Sequence, residues 1–304
     1  MRTPKSGLVA DSSDAPNELN ETLEVDAGGT LYIELDRGAV EVTSHDAREV
    51  RIEARAFGWA AWNFEFDLLR SGNDVRLTGE GATWTMWPFG PRVLVRAWVP
   101  RAYSVDIRTR GGRIDLGNLS GRIIGETSGG AIQLEGAEGT VALHTSGGSI
   151  RVAQVEGDLR VDTSGGKIDV ADVIGDVQAN TSGGSIAISR VTGQISARTS
   201  GGGIQVREAG ESVDATTSGG SVFASFVGPP AGSLETSGGS IEVQFPAGAG
   251  ANLDAQTRGG HVEVAPPLQP VGDVGSRHVV TAINGGGAAL RLRTSGGSIR
   301  VRAA

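Results

Sequence analysis

Apolar and polar residues alternate along most of this chain in short runs that end at glycine. In residues 145–162, TSGGSIRVAQVEGDLRVD, the apolar positions are Ile150 and Val152 in one run and Leu159 and Val161 in the next. Alternation with a period of two predicts a β-strand with one buried face. The segment therefore predicts two short strands, and its glycines and its period exclude an amphipathic helix.

The same pattern recurs every 18 residues. The tetrapeptide Thr-Ser-Gly-Gly or a close relative starts at Thr109, Thr127, Thr145, Thr163, Thr181, Thr199 and Thr217, and then with wider spacing at Thr236, Thr257 and Thr294. Parallel stacking explains this recurrence, because equivalent side chains would lie about 4.8 Å apart and pack on copies of themselves. An antiparallel meander is the alternative, but it gives no reason for so regular a repeat. We therefore predict an all-β fold, a parallel β-solenoid of the β-helix or β-roll type with about 18 residues per coil.

Glycine marks both corners of each coil. A Gly-Gly pair follows Thr-Ser at one corner, and a segment that ends in glycine, such as the one ending at Gly157, forms the other. Because glycine adopts positive φ at no steric cost, we expect a sharp turn at both corners. Thr163 follows Leu159 and Val161 in the alternation. Its side chain should therefore point inward and form a ladder with the equivalent threonines.

The pattern divides the chain into three regions. Residues 1–22 are polar and are expected to form a flexible leader, and residues 23–103 are expected to form a strand-rich N-terminal capping region. Residues 104–304 are predicted to form the repetitive solenoid. Three prolines interrupt the pattern near 265–280, where we expect a protruding loop insertion.

The last coil stops partway through its repeat, which predicts an open strand edge at the C-terminal end. Arg291, Arg293, Arg300 and Arg302 would supply outward positive charge along that edge. Charge of this kind discourages pairing with another molecule. We therefore expect the arginines to prevent uncontrolled stacking, with end-to-end self-association as the less favoured alternative.

All 5 tryptophans lie in the capping region, at Trp59, Trp62, Trp84, Trp87 and Trp98. The first interpretation is that their rings cover the open N-terminal end of the solenoid. The alternative is a partner surface formed by Trp59, Trp62, Trp84 and Trp87, since exposed aromatic clusters mark interaction sites. Solvent exposure of these rings would favour the partner surface.

Composition and charge narrow the classes of partner. The net charge is -8 and lysine occurs only at Lys5 and Lys167, which argues against nucleic acid, because nucleic-acid binders display a clustered basic face. No apolar stretch approaches the length of about 18 residues that membrane insertion requires. The leader also lacks the apolar run of a secretory signal. The sequence thus predicts a cytoplasmic location by default, with the cell surface as the alternative.

The sequence contains no motif that carries recognisable chemistry. The 4 histidines have no metal-ligand spacing and the chain has no cysteine. The serines recur in the glycine turns, whereas a catalytic serine is usually singular. The glycine pairs lack the residues that calcium rolls and phosphate-binding loops require. We therefore predict no catalytic, cofactor-binding or metal residues and a non-enzymatic role.

Three segments outside the strict repeat carry a family resemblance. They are PRAY at 100–103, VDIRT at 105–109 and INGGG at 283–287. Together with the repeats they make residues 23–301 similar to the bacterial putative-adhesin family, a domain of unknown function. The resemblance implies a parallel β-solenoid and supplies no active site to carry over.

These observations favour a binding or scaffolding surface for a protein or glycan partner. A self-assembling structural element of the bactofilin kind is the first alternative. The second is a polysaccharide-acting β-helix enzyme, which would need acidic side chains converging in a groove together with an arginine.

Overall fold

The structure is a computed structural model that describes residues 17–58, 61–81, 91–271 and 276–304. These residues form 27 β-strands and one short 3₁₀ turn, Ala61–Asn63. The chain divides into two compact units, with the boundary between Thr145 and Ser146. Stacked parallel strands dominate both units, which confirms the predicted all-β solenoid.

Unit 1 contains ten of the described strands. They are β1 (Glu18–Glu24), β2 (Thr30–Leu35), β3 (Ala39–His45), β4 (Glu49–Phe57), β5 (Phe64–Ser71), β6 (Asp74–Gly81), β7 (Arg92–Pro100), β8 (Ser104–Thr109), β9 (Ile114–Thr127) and β10 (Ile132–Thr145). On one side the strand order is β1, β4, β7, β3 and then the first halves of β9 and β10. On the other side it is β5, β6, β2, β8 and then the second halves of β9 and β10.

The first coil of unit 1 does not lie at the end of its stack. The coil β2–β3 lies between β6–β7 and β8–β9, with parallel pairing on both sides. Beyond it, β4 pairs antiparallel with β7, and the outermost strands β1 and β5 pair antiparallel with β4 and β6. Residues 18–22, which the sequence analysis assigned to the flexible leader, belong to β1, because Leu19 and Leu23 pair in register with Ala54 and Val50 of β4. Residues 1–16 of that leader lie outside the described residues.

Tyr103 is fully buried in unit 1. Its hydroxyl donates to the carbonyl of Asn73, and its ring lies against Gly29, where an added Cβ would be 2.6 Å from Cε2 of the ring. Burial, assisted by the nearby negative charge of Asp74, raises the pKa of Tyr103 to about 12. The tyrosine of the PRAY segment thus joins two turns that are distant in sequence.

Unit 2 contains the remaining seventeen described strands. They are β11 (Ile150–Glu156), β12 (Leu159–Thr163), β13 (Ile168–Ile174), β14 (Val177–Asn180), β15 (Ile186–Val191), β16 (Ile195–Arg198), β17 (Ile204–Ala209), β18 (Val213–Thr217), β19 (Val222–Phe226), β20 (Gly232–Thr236), β21 (Ile241–Phe245), β22 (Ala251–Thr257), β23 (Val262–Val264), β24 (Pro270–Val271), β25 (His278–Ile283), β26 (Ala288–Thr294) and β27 (Ile299–Ala303).

The 18-residue repeat sets the register of unit 2. Ile150 pairs with Ile168, Ile168 with Ile186, and Ile186 with Ile204, all in parallel register. These isoleucines are buried, so each side chain packs on its equivalents in the neighbouring coils. The predicted aliphatic ladder is confirmed.

The threonines of the repeat form a second, polar ladder. Thr199 is buried, its hydroxyl donates to the carbonyl of Gly184 at 2.8 Å, and the same oxygen accepts from the amide of Gly202 at 3.4 Å. The equivalent threonines repeat the first bond in every described coil from Thr163 to Thr294. The predicted inward orientation is confirmed.

The glycine pair of the Thr-Ser-Gly-Gly turns serves close approach rather than positive φ. A Cβ added at Gly184 would lie 1.9 Å from the carbonyl oxygen of Gly166 in the preceding coil. Positive φ occurs instead at the other corner, as at Gly157 and Gly175 with φ of 136° and 143°. The expected sharp turns occur at both corners, and the described Thr-Ser-Gly-Gly turns of unit 2 make them without positive φ at their glycines.

The C-terminal coil of unit 2 is not an open edge, as the sequence analysis expected. Strand β26 lies between β20 and β22, and β27 lies between β21 and β23. Three of the four arginines pair with acids on these neighbours rather than shielding an edge: Arg293 with Asp254, Arg300 with Glu263, and Arg302 with Glu242. The expected edge was wrong because strand order at this end does not follow the order of the sequence.

The segment near 265–280 folds against the sheet where a protruding loop was expected. Leu268 is buried, and β24 pairs antiparallel with β25. Strand β25 in turn pairs antiparallel with β22 and buries Val279. Residues 272–275 lie outside the described residues.

Candidate partner surface

Trp62 is the member of the predicted partner surface that the structure describes. This residue is 75% exposed. Trp59, Trp84 and Trp87 lie outside the described residues. Trp98 is half-buried on β7, with the guanidinium of Arg51 stacked 5.1 Å from its ring centre.

The chain around Trp62 anchors its backbone while leaving the ring in solvent. Trp62 lies on the 3₁₀ turn between β4 and β5, where Ala61 and Phe64 are both buried. Phe64 also contacts Phe66 edge to face, with ring centres 5.2 Å apart. At the end of β4, Phe57 is 41% exposed. We call Phe57 and Trp62 the aromatic surface.

Strand β4 continues from the aromatic surface into a polar depression. Its alternation buries Ile52, Ala54 and Ala56 and turns Arg51, Glu53, Arg55 and Phe57 outward. Beside Phe57, a depression of about 350 Å³ opens between β1, β4 and β7. We call it the β4 depression, and its outward lining side chains are Glu18, Asn20, Glu53, Arg55, Leu94 and Arg96.

The charged side chains of the β4 depression are held by neighbouring charges. Arg55 Nε lies 2.8 Å from a carboxylate oxygen of Glu18 in an ion pair, and Arg96 Nε donates to Glu41 of β3 at 2.9 Å. Glu53 accepts from Arg51 on its own strand. Exposed pairs of this kind add little to stability.

The described residues offer little chemistry beyond hydrogen bonding and charge. Within the described ranges, His, Asp and Glu side chains do not come together in groups of three that could hold a metal ion. Among the same residues, nothing helical has both the length and the hydrophobicity of a transmembrane span. Asp254 contacts His278 at 3.2 Å and also pairs with Arg293.

A family model matches most of this chain. The model described as Toastrack DUF4097 matches residues 30–302. The chain belongs to the Toastrack DUF4097 family. The family resemblance drawn from the repeats is thereby confirmed, and Toastrack DUF4097 is a family of unknown function.

Solved structures similar to this Toastrack chain are distant in sequence. One is a putative cell adhesion protein from Clostridium sporogenes, with 12% identity, covering 94% of this chain and 100% of that chain at a TM-score of 0.23. Another is a putative adhesin from Bacteroides fragilis, with 10% identity, covering 96% of this chain and 98% of that chain at a TM-score of 0.34. A comparison with curated proteins finds no match.

Sequence reasoning missed the β4 depression. Two of its side chains, Glu18 and Asn20, fall in the segment that was assigned to the leader. The available signal was the alternation in VRIEARAF at 50–57, which places three charged residues and Phe57 on one face of a strand. That pattern predicts the outward face of β4 but not the strands beside it.

Proposed function

We propose that this Toastrack protein is non-enzymatic and binds a protein or glycan partner through the aromatic surface of unit 1. The observation that carries the proposal is the exposure of Trp62, at 75% for the residue. A tryptophan that covered the end of a solenoid core would lose most of its exposed area. A ring that instead remains in water is typical of an interaction site.

The charge of the chain limits the kind of partner. A net charge of -8 disfavours a polyanion such as nucleic acid. A protein or a glycan can contact an aromatic ring without needing a basic surface. The location stays a prediction, cytoplasmic with the cell surface as the alternative, and fractionation of the cells that make the protein tests it.

Self-assembly in the manner of bactofilins loses its original structural reason. That hypothesis relied on an open edge at the last coil, and both strands of this coil, β26 and β27, have parallel neighbours on each side. Sedimentation at rising protein concentration tests the hypothesis directly. The proposal expects a sedimentation coefficient that does not change with concentration.

A polysaccharide-acting enzyme is the second candidate, because the β4 depression brings Glu18 and Glu53 together with arginines. Glycoside hydrolysis needs one carboxyl group that is protonated at working pH. Such an acid lies in an apolar site that excludes water, whereas Glu18 and Glu53 are partly exposed and pair with arginines, Glu18 with Arg55 and Glu53 with Arg51. The depression therefore suits ligand binding better than acid catalysis.

The test compares Trp62→Ala with Leu69→Ala, a substitution at a second exposed apolar side chain of unit 1. The full chain is immobilised and presented with a glycan array and with bacterial surface extracts. We expect Trp62→Ala to weaken retention of the partner at least tenfold while changing the free energy of unfolding by less than about 0.5 kcal/mol. Leu69→Ala should retain the partner.

Two results would contradict the proposal. One is retention by Trp62→Ala that equals the wild type. The other is a loss of stability of about 2 kcal/mol or more in Trp62→Ala, which would mean that the ring covers the core.

A further inference from the structure

We propose that the β4 depression binds a neutral saccharide. The inference rests on the proposed function, because the depression adjoins the aromatic surface and would define the partner that this surface receives. Its residues are separate from Trp62, so the two proposals can fail independently.

The depression is built on paired strands, which hold its side chains in place. Its side chains project from the paired strands β1, β4 and β7, with Glu18 opposite Arg55 and Asn20 opposite Glu53 in register. On the other side of β4, Arg55 lies opposite Leu94 and Glu53 opposite Arg96. Sites built on strands hold their side chains more precisely than sites built on loops. A volume of about 350 Å³ is within the range of small-ligand sites.

The charged side chains that line the depression are balanced in sign. The lining contains two carboxylates, Glu18 and Glu53, and two guanidinium groups, Arg55 and Arg96, so its formal charges cancel. A cation would meet the arginines and an anion would meet the glutamates. A ligand without net charge is repelled by neither the arginines nor the glutamates.

The depression offers hydrogen-bond donors and acceptors to a ligand. Arg55 and Arg96 each use Nε in an ion pair, and a guanidinium has five N–H donors, so their terminal nitrogens can still donate. The side chain of Asn20 is exposed on β1 and offers one acceptor and two donors. Vicinal hydroxyls of a sugar act as donor and acceptor at once, so they suit this mixture.

Apolar side chains lie in and beside the depression. Leu94 is half-buried within the depression, and Phe57 lies in the next row of the sheet, opposite Arg92. A pyranose ring presents C–H groups on its faces and hydroxyls around its rim. The apolar residues would contact a face of the ring while the charged residues bind the rim.

The experiment applies the full chain to an array of cello-, xylo-, manno- and chito-oligosaccharides, with sulfated heparin fragments as anionic probes. We expect retention of at least one neutral series and none of the heparin fragments. For the bound oligosaccharide, calorimetric titration of Glu53→Gln and of Asn20→Ala should show affinity reduced at least tenfold. Arg76→Ala removes a guanidinium that pairs with Glu34 at 2.7 Å outside the depression, and it should bind within twofold of the wild type.

Three outcomes would overturn the inference: an empty array, preferential retention of heparin, or equal affinity in the wild type, Glu53→Gln and Asn20→Ala. If the array is empty but Trp62→Ala still loses a protein partner, the saccharide inference fails and the proposed function stands. If a saccharide binds and only Trp62→Ala loses it, the site lies at the aromatic surface and the inference about the depression is wrong.

Discussion

At the scale of single residues, Thr-Ser-Gly-Gly recurs because two of its positions make contacts between coils. The threonine hydroxyl bonds both its own turn and the preceding one, as Thr199 does with Gly202 and Gly184. The second glycine lets two turns stack with their backbones in contact. The first glycine of the same turn is less constrained, since a Cβ added at Gly183 would lie 3.6 Å from its nearest neighbour.

This difference predicts opposite outcomes for neighbouring substitutions. Gly184→Ala should destabilise the protein by about 3 kcal/mol or more, because its Cβ would overlap the carbonyl oxygen of Gly166. Gly183→Ala, the matched control, should change the free energy of unfolding by less than about 1 kcal/mol. Denaturant unfolding measures both values, and equal losses would contradict the stacking account.

Tyr103 gives a prediction at high pH. The pKa of its buried phenol is raised from 10.0 to about 12, so the folded state favours the protonated form. The stability that this provides is complete below pH 10 and is lost as the pH rises toward about 12. The chain has 2 tyrosines, so Tyr32→Phe leaves Tyr103 as the only phenol. Ultraviolet titration of Tyr32→Phe should give a midpoint near 12, and a midpoint near 10 would show that the ring is not buried.

The sequence predicted the inward residues of the repeat better than its corners. Alternation identified Ile150 and Thr163 as buried because strand parity depends only on local spacing. The second corner was described only by its glycines. The structure also places non-glycine residues there with φ between 53° and 58°, at intervals of 18, which are Gln154, Asp172, Arg190 and Glu208. Such residues seldom adopt a left-handed conformation, so the sequence gives no signal for it.

At the scale of elements, each unit has a coil that lies inside strands from elsewhere in the sequence. In unit 1 the coil β2–β3 lies inside β6–β7, and in unit 2 the coil β26–β27 lies inside β22–β23. Antiparallel strands such as β5 and β25 then cover the edges. The coils are therefore paired on both sides, and the edges of the sheet lie on other strands.

These end arrangements could not be predicted from the sequence. The alternation of β26 and β27 resembles that of any other coil, and nothing local shows that they lie between earlier strands. The INGGG segment at 283–287 held the only signal. Asn284 has φ of 51° and its side chain donates to the carbonyls of Ala247 and Ala249, where the chain passes the start of β22.

Asp254 gives a prediction for the C-terminal end. It joins three strands by accepting from Arg293 of β26 and from His278 of β25, and the bond from Arg293 holds its pKa below the usual 3.8. A lowered pKa gives stability that is present above the unfolded value and is lost as the pH falls through the folded value. Asp254→Asn should therefore lower the melting temperature at pH 7, and the difference from the wild type should shrink as the pH falls below about 3.8.

The control for this prediction is Asp158→Asn, which removes one negative charge at an exposed position of the same unit. It should leave the melting temperature at pH 7 unchanged within about 1 °C, as expected for a surface substitution. A loss at Asp254→Asn that is the same at pH 7 and at pH 3 would contradict the account of the ion pair.

At the scale of the whole molecule, the repeat extends across the division into two units. The predicted boundary lay between residues 103 and 104, whereas the chain separates into compact units after Thr145. Strands β9 and β10 of unit 1 already pair in the 18-residue register, as Ile132 does with Ile114. The three predicted regions describe where the repeat pattern begins and ends. They do not predict compact units, because compactness depends on contacts that the pattern does not contain.

The candidate site was the least predictable part of the molecule. Trp62 could be proposed from the sequence because all 5 tryptophans cluster in the N-terminal capping region. The β4 depression depends on β1, β4 and β7, which are far apart in sequence and pair antiparallel. Local alternation gives the outward face of each strand but not which strands are neighbours.

Disulfide trapping tests most directly the claim that residues 18 positions apart are neighbours. The chain has no cysteine, so introduced pairs report without background. Ala171 and Ser189 pair in register on the outward face of β13 and β15, where adjacent strands place Cα atoms about 4.8 Å apart. That distance is within the range of a disulfide. The control pair Ala171 and Ala187 is offset by two residues, which separates the Cα atoms by about 8 Å.

We expect mild oxidation to form an intramolecular disulfide in the variant Ala171→Cys with Ser189→Cys, detected by mass spectrometry. The variant Ala171→Cys with Ala187→Cys should keep both thiols free, because Cα atoms more than about 7 Å apart cannot be bridged without backbone movement. Free thiols in the first variant together with a disulfide in the second would contradict the solenoid register and the surfaces derived from it.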